Sequence, residues 1–145
     1  MTAQGQAEAH KTLVQQFVEE FWNRGEPAAA DELMTRDTVI HEPVAGTPED
    51  LKAVATMIRS AFPDWNSTVE EMLVDGDRVV ERWTARGTHR GEFQGIPPTG
   101  NSVTVPGVVF YRIADGKIAE FRGQFDRMSL MQQLGVIPSP SVSAP

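Results

Sequence analysis

The sequence predicts an α+β fold, and three observations carry that expectation. Up to Pro63 the apolar residues recur at helical spacing. Beyond it, β-rich runs alternate with compact turn signals, and the two patterns follow one another without interleaving. From Ala7 to Asn23, Leu13, Val14, Phe17, Val18 and Phe21 form one apolar face, while Gln15, Gln16, Glu19 and Glu20 hold much of the other. Gly25 ends this helix, and Pro27 suits the first position of a second, short one reaching Met34. Thr47-Pro48-Glu49-Asp50 is a strong helix start: a capping hydroxyl, a proline that pre-sets the first turn, and two acids at the positive end of the dipole. The helix it opens turns Leu51, Val54, Ile58 and Ala61 inward, with Met57 at the margin, and Pro63 stops it.

Four strands are then expected, at Thr68 to Val74, Arg78 to Thr88, Val103 to Ile113 and Lys117 to Phe125. Asp75-Gly76-Asp77 and Asp115-Gly116 are the turn signals between neighbours, the second a two-residue hairpin. The stretch from Gly91 to Gly100 is a loop, because Pro97 and Pro98 remove two ladder donors. A last helix from Arg127 to Leu134 closes at Gly135, a residue suited to a left-handed cap.

The chain's 145 residues suit one domain, expected over residues 1–137. Residues 138–145 are Pro/Ser-rich with Val142 as their one large apolar side chain, and they are expected to form a loose tail. A formal charge of -7, with basic residues scattered rather than clustered, argues against nucleic acid as partner. No apolar run reaches the ~18 residues of a membrane span, and the N-terminus lacks the apolar core of a signal peptide. The absence of cysteine removes disulfides, thiolate metal sites and thiol nucleophiles, and it fits a reducing cytoplasm. The three histidines show no HxxxH or HxH spacing, so no metal site is expected.

Gly87-Thr88-His89-Arg90-Gly91-Glu92-Phe93, followed by Gly95-Ile96-Pro97-Pro98-Thr99-Gly100, closely resembles the SnoaL-like polyketide cyclases of the NTF2-like superfamily. So does the ending, from Asp115-Gly116-Lys117-Ile118-Ala119-Glu120 through Asp126 to Gln133-Leu134-Gly135. The likeness covers about four-fifths of the chain, weaker before Ala45 and absent in the tail, and several motifs in the right order make it specific. It implies a cone: a curved, mostly antiparallel sheet wrapped on N-terminal helices around an internal pocket. It further implies a homo-oligomer, often a dimer through the sheet. The implied activity is an intramolecular aldol closure on a hydrophobic polyketide-like carbonyl compound, with no metal or organic cofactor.

In the cyclases an aspartate near the end of the last strand is the acid/base, and Asp126 matches it. Such a group takes a proton alpha to a carbonyl and returns one to the new alkoxide, which partial desolvation favours. Asp126 also stands directly before a helix, where aspartate is a favoured cap, and amide donors would weaken it as a base. On a strand, Arg122, Gln124 and Asp126 share one face. Gln124 matches a substrate-positioning residue of the family, or else it is part of a solvated face. Arg122 would hold a substrate enolate or carboxylate, or would pair with Asp126. His89 lies in the Gly87-to-Phe93 motif and His41 at a strand end beside Glu42; each is a candidate proton carrier or a hydrogen-bonded structural histidine. Trp65, at a helix-to-strand corner, is the aromatic best placed to wall the pocket. Arg82 and Thr84 alternate with Trp83, and one of those two faces lines the cone.

Two other readings stand beside the cyclase. An epoxide hydrolase of the related fold would use a carboxylate–Arg–carboxylate set, for which Asp126 with Arg122 or Arg82 is a partial match. A non-catalytic small-molecule-binding domain would need no proton carrier. The state of the carboxylate separates them: one facing an apolar cavity favours catalysis, one facing helix amides favours a cap.

Overall fold

A computed structural model describes residues 2–138 of the chain, so the expected tail lies outside the described residues except for Pro138. The first helix, α1 (Ala3–Phe17), continues into wider π-helical turns over Val18–Asn23. A short α2 (Ala28–Leu33) leads without a turn into β1 (Met34–Glu42). Then come α3 (Pro48–Ala61), β2 (Asn66–Asp75), β3 (Arg78–Thr88), β4 (Ser102–Ala114), β5 (Lys117–Phe125) and α4 (Arg127–Gln133).

The five strands form one sheet in the order β1-β5-β4-β3-β2. Its three hairpin-type neighbours pair antiparallel, while β1 runs parallel to β5 along the far edge. β1 is the element the sequence showed least: only a strand end near His41 is foreseen. Its polar Thr35, Arg36 and Asp37 and its entry straight from a helix hide the period-two pattern, and its partner lies far along the chain. The hairpin turns fall where the sequence puts them. Asp115 and Gly116 both have positive φ, 52° and 73°, which is the two-residue geometry that matches strand twist.

At the start of α3 Thr47 and Asp50 form a reciprocal capping box. Asp50 Oδ2 accepts the Thr47 amide at 2.8 Å and the Thr47 hydroxyl at 3.1 Å. The inner face of the sheet meets α1 in one core cluster around Phe17, Phe21, Tyr111 and Phe121. A second cluster gathers the end of α3, the loop residue Phe93, Val103, Val105 and Leu130 of α4. Trp83 of β3 packs against both. Among the described residues no helix is long and apolar enough to cross a membrane.

Candidate active site

Between the two core clusters lies an open-mouthed pocket of about 650 Å³, counting the solvent at its mouth. Its walls are almost wholly apolar. Trp22, Trp65 and Trp83, which are all the tryptophans of the chain, line it together with Val109, Phe121 and Leu130.

The indoles are placed by polar scaffolding behind them. Arg59 Nη1 donates to the carbonyls of Trp22 and Asn23, each at 3.0 Å, and to that of Trp65 at 3.3 Å. Asn23 and Ser67 exchange two hydrogen bonds, of 2.7 and 2.9 Å, which tie the π-helical turns to β2. The π-helical stretch thus leaves carbonyls that a guanidinium satisfies, and in doing so it seats Trp22 at the pocket.

Among the described residues one ionisable side chain lines this pocket: Glu81 of β3. Val79, Glu81, Trp83 and Ala85 alternate on the inner face, so the carboxylate is carried inward with its apolar neighbours and is only 1% exposed. Val109 stands opposite it across β4, and Tyr111, two residues on, shares the same inner face. The Tyr111 hydroxyl donates to Glu81 Oε1 at 2.7 Å. Glu81 Oε2 takes no hydrogen bond among the described residues, yet it is not sealed from the pocket. Burial pushes the Glu81 carboxyl up to about 7, against a smaller opposing effect of the Tyr111 hydroxyl. Burial, and then the neighbouring carboxylate, push the Tyr111 phenol well above its usual range, so it remains a donor.

Of the residues singled out from sequence, Trp65 and Gln124 border the pocket, Gln124 being exposed at its edge. The expected common face of Arg122, Gln124 and Asp126 is the outward one, and all three are exposed. Asp126 caps α4: its Oδ1 accepts the Ser129 amide at 2.9 Å. The carboxylate that faces the cavity is therefore Glu81, and the one that faces helix amides is Asp126. No ion pair joins Arg122 to Asp126 among the described residues.

Arg82 also points outward, pairing with Glu71 at 3.2 Å, because the cone is lined by the Trp83 face of β3. With Arg82 and Arg122 outside, no guanidinium among the described residues lines the pocket beside Glu81, and the carboxylate–Arg–carboxylate set has no counterpart among them. His41 lies on the outer face as well. Its Nε2 is 2.6 Å from Glu120 Oε2, and Glu120 Oε1 also meets Arg112 at 3.2 Å. The His41 contact first, and Arg112 after it, hold the Glu120 carboxyl below its usual range.

His89 is fully buried but is not part of the pocket lining. Its Nδ1 accepts the Thr99 amide at 3.1 Å, which leaves the ring proton on Nε2, an atom with no partner among the described residues. Its ring packs beside Phe62, with centroids 5.5 Å apart, so this histidine fastens the Gly91–Gly100 loop to the end of α3. Among the described residues no group of three or more His, Asp or Glu gathers as a metal set.

The SnoaL-like polyketide cyclase family matches residues 12–134. Two curated relatives are each 31% identical over 97 residues, or 66% of this chain. They are the aklanonic acid methyl ester cyclases DnrD of Streptomyces peucetius and DauD of Streptomyces sp. (strain C5). The matched stretch spans 66% and 60% of their own lengths. Among solved structures, AclR from Streptomyces galilaeus, a candidate hydroxylase by its own description, superposes with a TM-score of 0.84 at 30% identity, covering 92% of this chain and 89% of AclR. IdmH from Streptomyces antibioticus, a candidate polyketide cyclase, gives 0.78 at 30% identity, covering 88% and 99%.

Proposed function

Because the chain belongs to the SnoaL-like polyketide cyclase family, we propose that it closes a ring in a hydrophobic polyketide-like carbonyl compound, with Glu81 as the proton carrier. The observation that carries this reading is the Glu81 carboxyl buried in an indole-lined pocket, where burial pushes it up to about 7. A carboxylate there takes a proton from the carbon alpha to one ketone. The resulting enolate attacks a second carbonyl of the same molecule, and the new alkoxide takes the proton back from the Glu81 carboxylic acid. One C–C bond forms, nothing is oxidised or lost, and the product has the mass of the substrate, so the step balances on protein groups alone. A group poised near the working pH serves both as base and as acid. Aklanonic acid methyl ester, the compound in the relatives' names, is a suitable first substrate to offer.

The proton abstraction is testable without the true substrate. β-Tetralone, a two-ring ketone, exchanges its alpha protons with deuterated water, and proton NMR follows the loss. The wild type accelerates this exchange, and Glu81→Gln lowers the acceleration by about a hundredfold or more. An unchanged rate in Glu81→Gln would remove Glu81 from the reaction.

The same reading takes the protein as a homodimer packed through the outer face of the sheet. Leu73, Val80 and Phe110 align across β2, β3 and β4 as an apolar row, with Leu73 and Phe110 62% and 48% exposed. Oppositely charged pairs flank the row, Glu71–Arg82 on one side and Arg112–Glu120 on the other, and a two-fold axis brings such rows into complementary contact. Sedimentation velocity is expected to show a dimer for the wild type and a monomer for Phe110→Asp.

A further inference from the structure

We propose that Tyr111 is the positioning residue of this site: its hydroxyl fixes Oε1 of Glu81 and thereby presents the other oxygen, Oε2, to the pocket. This rests on the reading of Glu81 as proton carrier. A glutamate carries rotatable bonds, and in this apolar pocket its carboxyl has no other partner among the described residues to choose an orientation for it. The phenol supplies that choice. Tyr111 is 1% exposed, and its ring is held edge-on by Phe17 and Phe121, with centroids 6.4 and 5.4 Å away. Its hydroxyl therefore has one place to be. Because the phenol stays protonated, it donates in both charge states of Glu81, more strongly to the anion. It thus holds the carboxyl lower than burial alone would, while leaving Oε2 free.

Among the described residues other charges do not compete at this position. Arg82 and Glu71 pair on the outer face, Glu70 and Asp75 of β2 are exposed, and Arg112 and Glu120 lie outside with His41. On the π-helical turns Glu19 is exposed and paired with Arg24 and Glu20 is half-buried, and neither lines the pocket. Apart from Glu81, the one titratable or hydroxyl-bearing side chain of the wall among the described residues is Ser67, which is neutral.

Tyr111 is the only tyrosine in the chain, which permits a selective probe. Uniform incorporation of fluorotyrosine places one fluorine nucleus beside the hydroxyl at issue, and leaves the fold's side-chain volumes nearly unchanged. The fluorine resonance is expected to move with pH at a midpoint matching Glu81, near 7, and to lose that response in Glu81→Gln. The more acidic fluorinated phenol donates more strongly, so the β-tetralone exchange profile shifts to lower pH. In Tyr111→Phe the profile shifts the other way, upward by about one pH unit, since a charge-assisted hydrogen bond is lost. A fluorine signal that is flat from about pH 5 to about pH 9 overturns the proposal while leaving Glu81's role to its own test. Profiles of both variants that stay on the wild-type curve overturn it as well. Loss of catalysed exchange only through Tyr111, with Glu81→Gln active, would instead defeat the reading of Glu81 itself.

Discussion

At the scale of single residues, the same burial that suits Glu81 to proton transfer makes it costly to the fold. An unfolded glutamate titrates near ~4.3, and the folded one near 7, so the native state holds a proton more tightly across that window. A carboxyl whose folded value is raised contributes its stability below the unfolded value and loses it as the pH rises through the folded one. The loss amounts to about 3 kcal/mol between pH ~4.5 and pH ~7.5. In Glu81→Gln this component vanishes. The variant's urea midpoint is expected to vary less with pH than the wild type's, and to exceed it at alkaline pH. Parallel midpoint curves for the two proteins would mean that Glu81 is not the buried carboxyl the geometry makes it. The sequence held a sign of this residue: a lone acid in the alternating row Val79, Glu81, Trp83, Ala85. Choosing that row over Arg82 and Thr84 needed the knowledge of which face of β3 turns inward, and period two alone gives both faces equal standing. Tyr111 was readable in the same way from its row with Val109 and Ile113, but its bond to Glu81 depends on the register of β3 with β4, which no local pattern encodes.

At the scale of elements, two substitutions separate support from chemistry. Asp126 holds the first turn of α4 through the Ser129 amide. Asp126→Ala is expected to lower stability by about 1 kcal/mol, while Asp126→Ser keeps most of it, and both leave β-tetralone exchange within a few-fold of wild type. A deep loss of exchange in a folded Asp126→Ser would return this residue to the catalytic role that its place in the family motif suggests. In β4, Gly107 lies across from Trp83, and a Cβ there would stand 2.2 Å from the indole Cζ2 and 2.7 Å from the Gln124 carbonyl oxygen. Gly107→Ala must therefore push the indole into the pocket or spread β4 from β5. A cost of about 1–3 kcal/mol in urea denaturation is expected, together with weaker binding of ring ketones. The elements that the sequence disclosed best are those with local signals, namely the capped α3, the hairpin strands and α4. The least visible, β1, depends on pairing with a strand about eighty residues later.

At the scale of the whole molecule, the pocket is the seam between two cores. Val109 and Phe121 reach it from the α1 cluster, and Ile58 and Leu130 reach it from the cluster under α4, with Trp83 touching both. A family likeness places this cone correctly, yet it does not say which side chains stand inside the cone, because a fold is shared more widely than the site it carries. The seam has a thermodynamic consequence. A ligand that fills it binds only the folded chain and joins both clusters, so it stabilises the molecule as one unit by an amount set by mass action, about 2.7 kcal/mol at a hundredfold excess over Kd. β-Tetralone is expected to raise the thermal midpoint, and to quench tryptophan emission along the same saturation curve, since every indole of the chain lines the seam. Leu130→Ala, which opens the α4 side of the wall, weakens both responses together. If the ligand quenches emission but leaves the midpoint unmoved, it sits on the surface near an indole, and the pocket between the two cores is not where it binds.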